Sequence, residues 1–268
     1  MRNELIYDMP AKEYHSIEAL SASGAKQLLK SPAHYFASRE GFYVPTAAMK
    51  LGTAVHTAIL EPELFNDEIA IEPKLDKRTN IGKAAAEQFS LSSDGKVIID
   101  HYQGERCRAI AEAVRAHPYF IKRVKNGKVE ATMLWEQYGV QCKARVDYLA
   151  ERTIFDVKTC QDASPEGFAK QIANFSYHIQ AAHYAMGFRR LTGNPLEQFI
   201  FIAVESEPPH MVGIYSLSSD SLRAGAVFMK KAADNYDLFL SQKIVKLYNT
   251  DAEEISIPSW AMPKPFEA

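Results

Sequence analysis

No apolar run in this chain of 268 residues approaches the ~18 that a membrane-crossing helix needs. The opening Met1-Arg2-Asn3-Glu4 leads into no apolar stretch of the kind a secretory signal carries. Cysteine is scarce. Cys107, Cys142 and Cys160 lie far apart and form no CxxC pair, which leaves a zinc knuckle or an iron–sulfur cluster without ligands. An odd cysteine number without a leader points to a reducing cytoplasm. A basic excess is missing as well: 31 Lys and Arg against 33 Asp and Glu give a formal net charge of −2. Proteins that wrap nucleic acid passively are strongly positive, so any such contact must come from a local groove. An acidic metal site would itself offset basic residues in that balance. There is no internal repeat and no low-complexity linker.

What is present is an ordinary soluble mixture, 47% hydrophobic and 24% charged, long enough for one sizeable domain or two small ones. Ser21 or Ser23 can cap a helix running to Ser31, which Pro32 stops. Met49 to Leu60 reads as a second helix, ended by Glu61-Pro62. Short strands are predicted around Ile69-Ala70-Ile71, a weak helix over Gly82 to Phe89, and a stronger one over Gln103 to Ala116. The period then changes. Val129 to Gln137, Val140 to Leu149 and Thr153 to Thr159 read as three strands joined by short breaks at Tyr138-Gly139 and Glu151-Arg152. Helices follow over Pro165 to Ala173 and Tyr177 to Leu191. Strands are predicted over Gln198 to Glu205 and Met211 to Ser216, then a long helix from about Asp220 to Gln242. The tail, with Pro258, Pro263 and Pro265, is expected to be extended. This order predicts one mixed-sheet α/β domain.

Side chains alternate along a strand. In the second strand Val140, Cys142, Ala144, Val146 and Tyr148 are expected on one face, with Gln141, Lys143, Arg145 and Asp147 on the other. In the third, Phe155 and Val157 oppose Ile154, Asp156 and Lys158. If these strands form a hairpin, Asp147 and Asp156 converge. Phosphodiester cleavage uses a hard cation, and Mg²⁺ is satisfied by two or three carboxylates plus waters. A neighbouring lysine can hold and help deprotonate the attacking water. An isolated D-x-K is more often an ion pair on a solvated strand. Here Ile154, Phe155 and Val157 mark a central strand, which seldom carries Asp and Lys without a reason.

Asp147 followed by Asp156-Val157-Lys158 resembles the PD-(D/E)xK nuclease signature in its D…DxK form, with Val146 where the nominal motif has proline. Gln180 and Tyr184, four apart on one helix face, resemble the QxxxY motif of the RecB and lambda-exonuclease branch. Tyr184 also belongs to an apolar stripe with Tyr177, Ala181, Phe188 and Leu191. Gly52-Thr53-Ala54-Val55-His56 resembles the GxxxH motif of RecB- and RecE-type nucleases, where Gly52 would leave room for close backbone approach. The stretches around Tyr14-His15, Leu20 to Lys26 and Leu29 to Tyr35 resemble the opening of RecE (exonuclease VIII) nuclease domains. The likeness runs from about Tyr14 to Leu240.

That resemblance implies a restriction-endonuclease-like fold, a mixed central sheet flanked by helices, with the core over about 14–240 of a single domain spanning 1–268. It implies Asp147 and Asp156 as metal ligands, joined by His56 and the Val157 carbonyl. Lys158 would position the water and Gln180 would lie beside the centre. Glu130 resembles an additional acidic residue of the family, and reads equally well as a surface strand residue. Ser21, Ser23 and Lys26, with Arg145 and Tyr184, would contact DNA. Plain N-capping accounts for one of the serines. The implied cofactor is Mg²⁺, and an imidazole beside carboxylates suits Mn²⁺ as well. The implied activity is 5′→3′ digestion of linear double-stranded DNA by a ring-shaped homo-oligomer, trimer or tetramer. The 3′ strand is left for an annealing protein of the RecT type. Two rival readings are a structure-specific or Cas4-like nuclease and a catalytically silent DNA-binding module.

Overall fold

The computed structural model describes residues 2–39, 45–76, 78–241 and 247–262. The chain opens with β1 (Glu4–Ile6), α1 (Ala11–Ser16), α2 (Ala22–Leu28) and α3 (Pro32–Arg39), followed by α4 (Ala47–Leu60), α5 (Phe65–Glu68) and β2 (Ile69–Glu72). Next come α6 (Asn80–Ser92), β3 (Val97–Asp100), α7 (His101–Ala116) and α8 (Pro118–Arg123). The meander β4 (Lys128–Gln137), β5 (Val140–Ala150) and β6 (Thr153–Cys160) leads to α9 (Pro165–Asn174) and α10 (Tyr177–Thr192). Strands β7 (Gln198–Glu205) and β8 (Val212–Ser216) and helix α11 (Ser219–Leu240) complete it.

One mixed sheet in the order β1-β4-β5-β6-β7-β8 organises the molecule, and only β6 and β7 run parallel. Tyr138 and Gly139 both have positive φ, 55° and 77°, the two-residue turn geometry that matches strand twist. Along β7, Phe199, Phe201 and Ala203 enter the larger core with α2, α3, α9, α10 and α11. Ile200, Ile202 and Val204 enter the second core with α4 and α7. The central strands are therefore covered on both faces, and the domain is a helix–sheet–helix sandwich. Each fully buried Ile or Phe contributes about 1.5–3 kcal/mol to it. Among the described residues, no helix is long and apolar enough to cross a membrane.

The expected helices and strands from Ser21 onward are present, with shifted ends. The proline expected to stop a helix instead opens the next one: Pro32 is the first residue of α3. Structure also begins earlier than Ser21. Glu4, Leu5 and Ile6 pair with Leu134, Met133 and Thr132. The Lys143 ammonium, which alternation put on the face of Arg145 and Asp147, donates to the carbonyls of Tyr14 (2.9 Å) and Ile17 (2.7 Å) at the end of α1. The expected helix end at Gln242 and the tail residues Pro263 and Pro265 lie outside the described residues. Residues 247–262 are exposed and contain one short 3₁₀ turn.

Gly52 does not serve the close backbone approach expected of it. A Cβ there would meet only Thr159 Oγ1, at 3.9 Å. Glycine inside a helix costs about 0.5–1 kcal/mol relative to alanine. Gly52→Ala is therefore expected to raise the melting temperature by a few degrees; a thermal melt showing a lower value would contradict this packing.

Candidate active site

The site forms where the regular pleat fails. Ala131, Met133 and Trp135 of β4 lie in the larger core, yet Val129 packs against the second. Val140, Cys142, Ala144 and Val146 of β5 also lie in the larger core, whereas Tyr148 lies in the second, against strict alternation. Both strands change face at the same level, because Ala131 pairs with Val146 and Val129 with Tyr148. The residues at the change are Glu130 and Asp147. Glu130 has φ +53°, a left-handed conformation that costs a residue with a Cβ about 1–2 kcal/mol. Such strain marks a position held by its surroundings for another purpose.

At that level β5 and β6 also part. Their pairing runs from Ala150↔Thr153 to Tyr148↔Phe155 and stops before Asp147 and Asp156. Side chains and the N-terminal segment satisfy the β5 backbone beyond the split. Leu20 takes a strand-like position, accepting from Lys143 N–H at 2.9 Å. His183 bonds the Lys143 carbonyl at 3.1 Å, and Tyr184 Oη donates to the Arg145 carbonyl at 3.1 Å. The two aspartates therefore meet across the split, with no β5–β6 ladder between them.

Asp156 is completely buried. Gln180 Nε2 donates to its Oδ1 at 2.8 Å, and Lys158 Nζ stands 2.5 Å from its Oδ2. Asp147 Oδ2 accepts from Val157 N–H at 2.8 Å and lies 3.3 Å from His56 Nδ1. His56 Nε2 is 2.7 Å from the Val157 carbonyl. That carbonyl only accepts, so Nε2 carries the proton. Nδ1 is then the ring atom that faces the Asp147 carboxylate. Glu130 is ion-paired with Arg145.

Burial, and then the Asp147 charge, push the Glu130 carboxyl up to about 7 against the pull of Arg145. Burial raises Asp156 above the usual carboxylate range despite Lys158. Burial works against the Lys158 ammonium too, but the charges of Asp156 and Asp147 outweigh it and raise its pKa. The two carboxylates thus favour the ammonium form of Lys158, a donor that can hold a water.

Among the described residues, no three His, Cys, Asp or Glu side chains stand ready-made around one ion. The donor chemistry nevertheless fits a hard divalent cation. Asp156 Oδ2 is buried without an aligned hydrogen-bond donor. The His56 Nδ1 and Asp147 Oδ2 separation is close to the ~3 Å expected of adjacent ligands on one octahedral ion. A histidine ligand that donates its other N–H to a backbone carbonyl is the usual supporting arrangement. The Val157 carbonyl, which the resemblance made a ligand, meets His56 Nε2 through one of its two lone pairs.

The other expected residues divide. Lys26 reaches the site: its Nζ lies 5.2 Å from the centre of the Tyr177 ring, whose other cationic neighbour is Lys158 at 5.1 Å. Burial, and then Lys158, lower the Lys26 pKa to about 8. Ser21 caps α2 by accepting from Gly24 N–H, and Ser23 Oγ is 3.0 Å from Ser21 Oγ. Tyr184 is buried and braces β5, and Arg145 is ion-paired with Glu130. Glu61, read in the sequence only as a helix end, is close enough to Glu130 and Arg145 to perturb and be perturbed.

Residues 21–245 match the model of a family described as a PDDEXK-like domain of unknown function (DUF3799). The chain matches none of the curated proteins. Among solved structures, a candidate exonuclease from Eubacterium rectale is similar over 93% of this chain and 96% of that one. Its identity is 15% and the TM-score 0.66, a likeness of fold. A phage-related exonuclease from Haemophilus somnus 129PT aligns over 71% of this chain and 94% of that one, at 14% identity and a TM-score of 0.35.

Proposed function

The chain belongs to the PDDEXK-like domain family DUF3799, and from that membership and the geometry around Asp156 we propose a metal-dependent nuclease, more narrowly a RecE-like exonuclease that shortens linear double-stranded DNA from its 5′ ends. The observation that carries this reading is a fully buried aspartate on a central strand, held between Gln180 and Lys158 and facing a second aspartate across a split in the sheet.

Asp147, Asp156 and His56 would hold a divalent cation, Mg²⁺ or Mn²⁺, with Glu130 in reserve. Bound there, such an ion would neutralise the scissile phosphate and lower the pKa of a water. Lys158 directs its ammonium into the same space, where it can orient that water and meet charge developing on the phosphate. Gln180 ties one oxygen of the Asp156 carboxylate, and the other, 2.5 Å from Lys158 Nζ, would be shared between that ammonium and the cation. Tyr184 fixes Gln180 in turn, receiving its other amide hydrogen at 3.3 Å. Digestion of this polarity would leave a 3′ strand for an annealing protein of the RecT type. A ring of copies enclosing the duplex would keep the enzyme on its track.

The test is digestion of linear duplex labelled at the 5′ or the 3′ end, beside covalently closed plasmid. Release of the 5′ label first, with intact plasmid, is expected. Nicking of closed plasmid would favour a structure-specific nuclease. Duplex binding without metal-dependent product would leave a silent binding module.

A further inference from the structure

Phe175, at the corner between α9 and α10, has no role in the chemistry above. More than half of its surface faces solvent (57%) although it stands beside the site. Single exposed aromatics are common and need no explanation. This one differs in what supports it. Its ring lies almost parallel to that of Tyr177, at 19° and 5.7 Å between centres. Tyr177 is itself fixed by Phe168 and Phe201, and its hydroxyl receives Gln171 Nε2 at 3.4 Å. Gln171 is anchored in turn on the Thr159 carbonyl of β6. The corner is turned by Ser176 in a left-handed conformation, φ 54°, a second strained residue beside the site. Lys158 and Lys26 flank the same Tyr177 ring, and among the described residues no carboxylate pairs with Lys26.

A rigid aromatic face open to solvent, backed by a second ring that itself carries the Lys26 ammonium, matches one nucleotide of a DNA strand. The base stacks on the outer ring and an adjoining phosphate meets Lys26. Within a duplex both faces of a base are already covered by neighbours. Only a terminal or unpaired base can offer one. We propose that Phe175 is a stacking platform for an unpaired base of the strand being cut, within one or two nucleotides of the scissile phosphate. The proposal rests on the nuclease reading and adds what the site does to its substrate: it captures a frayed end. Phe175 is a positioning residue and touches no reacting atom.

The full-length protein and its Phe175→Ala, Phe175→Leu and Phe175→Tyr variants would be mixed with a single-stranded oligodeoxynucleotide carrying 2-aminopurine, in Ca²⁺ to suppress cleavage. Wild type and Phe175→Tyr are expected to quench the fluorescence. Phe175→Ala and Phe175→Leu are expected to lose the quench and weaken binding by about five- to tenfold or more. On linear duplex the same two variants should raise KM more than they lower kcat, with unchanged melting temperatures. Quenching by Phe175→Ala equal to wild type, or a leucine variant equal to tyrosine, would overturn the platform. So would a wild type that does not bind the oligonucleotide. If wild type quenches but degrades nothing, the nuclease reading falls and the stacking site stands. If wild type degrades duplex and Phe175→Ala quenches normally, the reverse holds.

Discussion

Asp156→Asn and Lys158→Ala are each expected to lower the rate of duplex degradation by about 10³-fold, on the order of 4 kcal/mol of transition-state stabilisation. The size follows from burial. Asp156 is fully enclosed, so nothing can replace its lost charge. Asparagine keeps the oxygen that faces Gln180 but removes the anion a divalent cation needs. Without Lys158, the buried Asp156 loses its nearest counter-charge and is driven further toward the neutral acid, which defeats ligation from the other side. Lys158→Arg should not restore activity, because a planar guanidinium cannot occupy the space of an ammonium 2.5 Å from Oδ2. Gln180→Ala acts only through Asp156 and should cost less, about 10–100-fold. The measurement is initial rate under saturating Mg²⁺ or Mn²⁺, with thermal melts confirming that each variant folds. A folded Asp156→Asn protein within about tenfold of wild type would remove Asp156 from the catalytic centre.

The second large effect is on stability, and its sign runs opposite to that of most proteins with paired carboxylates. Glu130 binds its proton up to about pH 7 in the folded state, against an ordinary value of 4.5. A group raised in this way stabilises fully below its unfolded pKa, and the contribution is lost as pH rises through the folded one. For Glu130 that window is about pH 4.5 to 7. The loss is on the order of 2 kcal/mol once its partial exposure is allowed for. Asp156, also raised, adds in the same direction. In EDTA the melting temperature should therefore fall by several degrees as pH rises across this window. Mg²⁺ or Mn²⁺ should restore more at about pH 8 than at about pH 5, since binding needs the deprotonated acids. Glu130→Gln should flatten the metal-free slope. Equal metal-induced shifts at both pH values would contradict the acidic cluster as the binding site.

The three-strand meander was legible because its apolar residues alternate over long runs and its breaks carry turn residues. Asp156 and Lys158 were placed on the correct face for that reason, and Gln180 was singled out as the helix residue its apolar stripe left unexplained. The face change at Glu130 and Asp147 was not legible. Glutamate carries no signal for a left-handed backbone, and tertiary packing alone holds it there. The strand that opens the chain was not legible for a related reason. Glu4–Ile6 is too short to show a period, and its partners lie more than a hundred residues away in β4. Lys143 read only as a neighbour of Arg145 on one face of its strand, because strand spacing does not reveal that a lysine has turned its ammonium into carbonyls. The Arg145–Glu130 pair was not legible for the same want of tertiary information, whereas the apolar stripe had already placed Tyr184 inside.

That lysine also decides where this domain can be cut. The family match begins at residue 21, which invites trimming there. An excised fragment would strand a positive charge in the interior with none of its three oxygen acceptors, Tyr14, His15 and Ile17. It would also remove Leu20 from the gap that the two parting strands leave between them. Residues 2–20 are the keel of the molecule, and the candidate site is only as well shaped as the segment that holds the far end of β5.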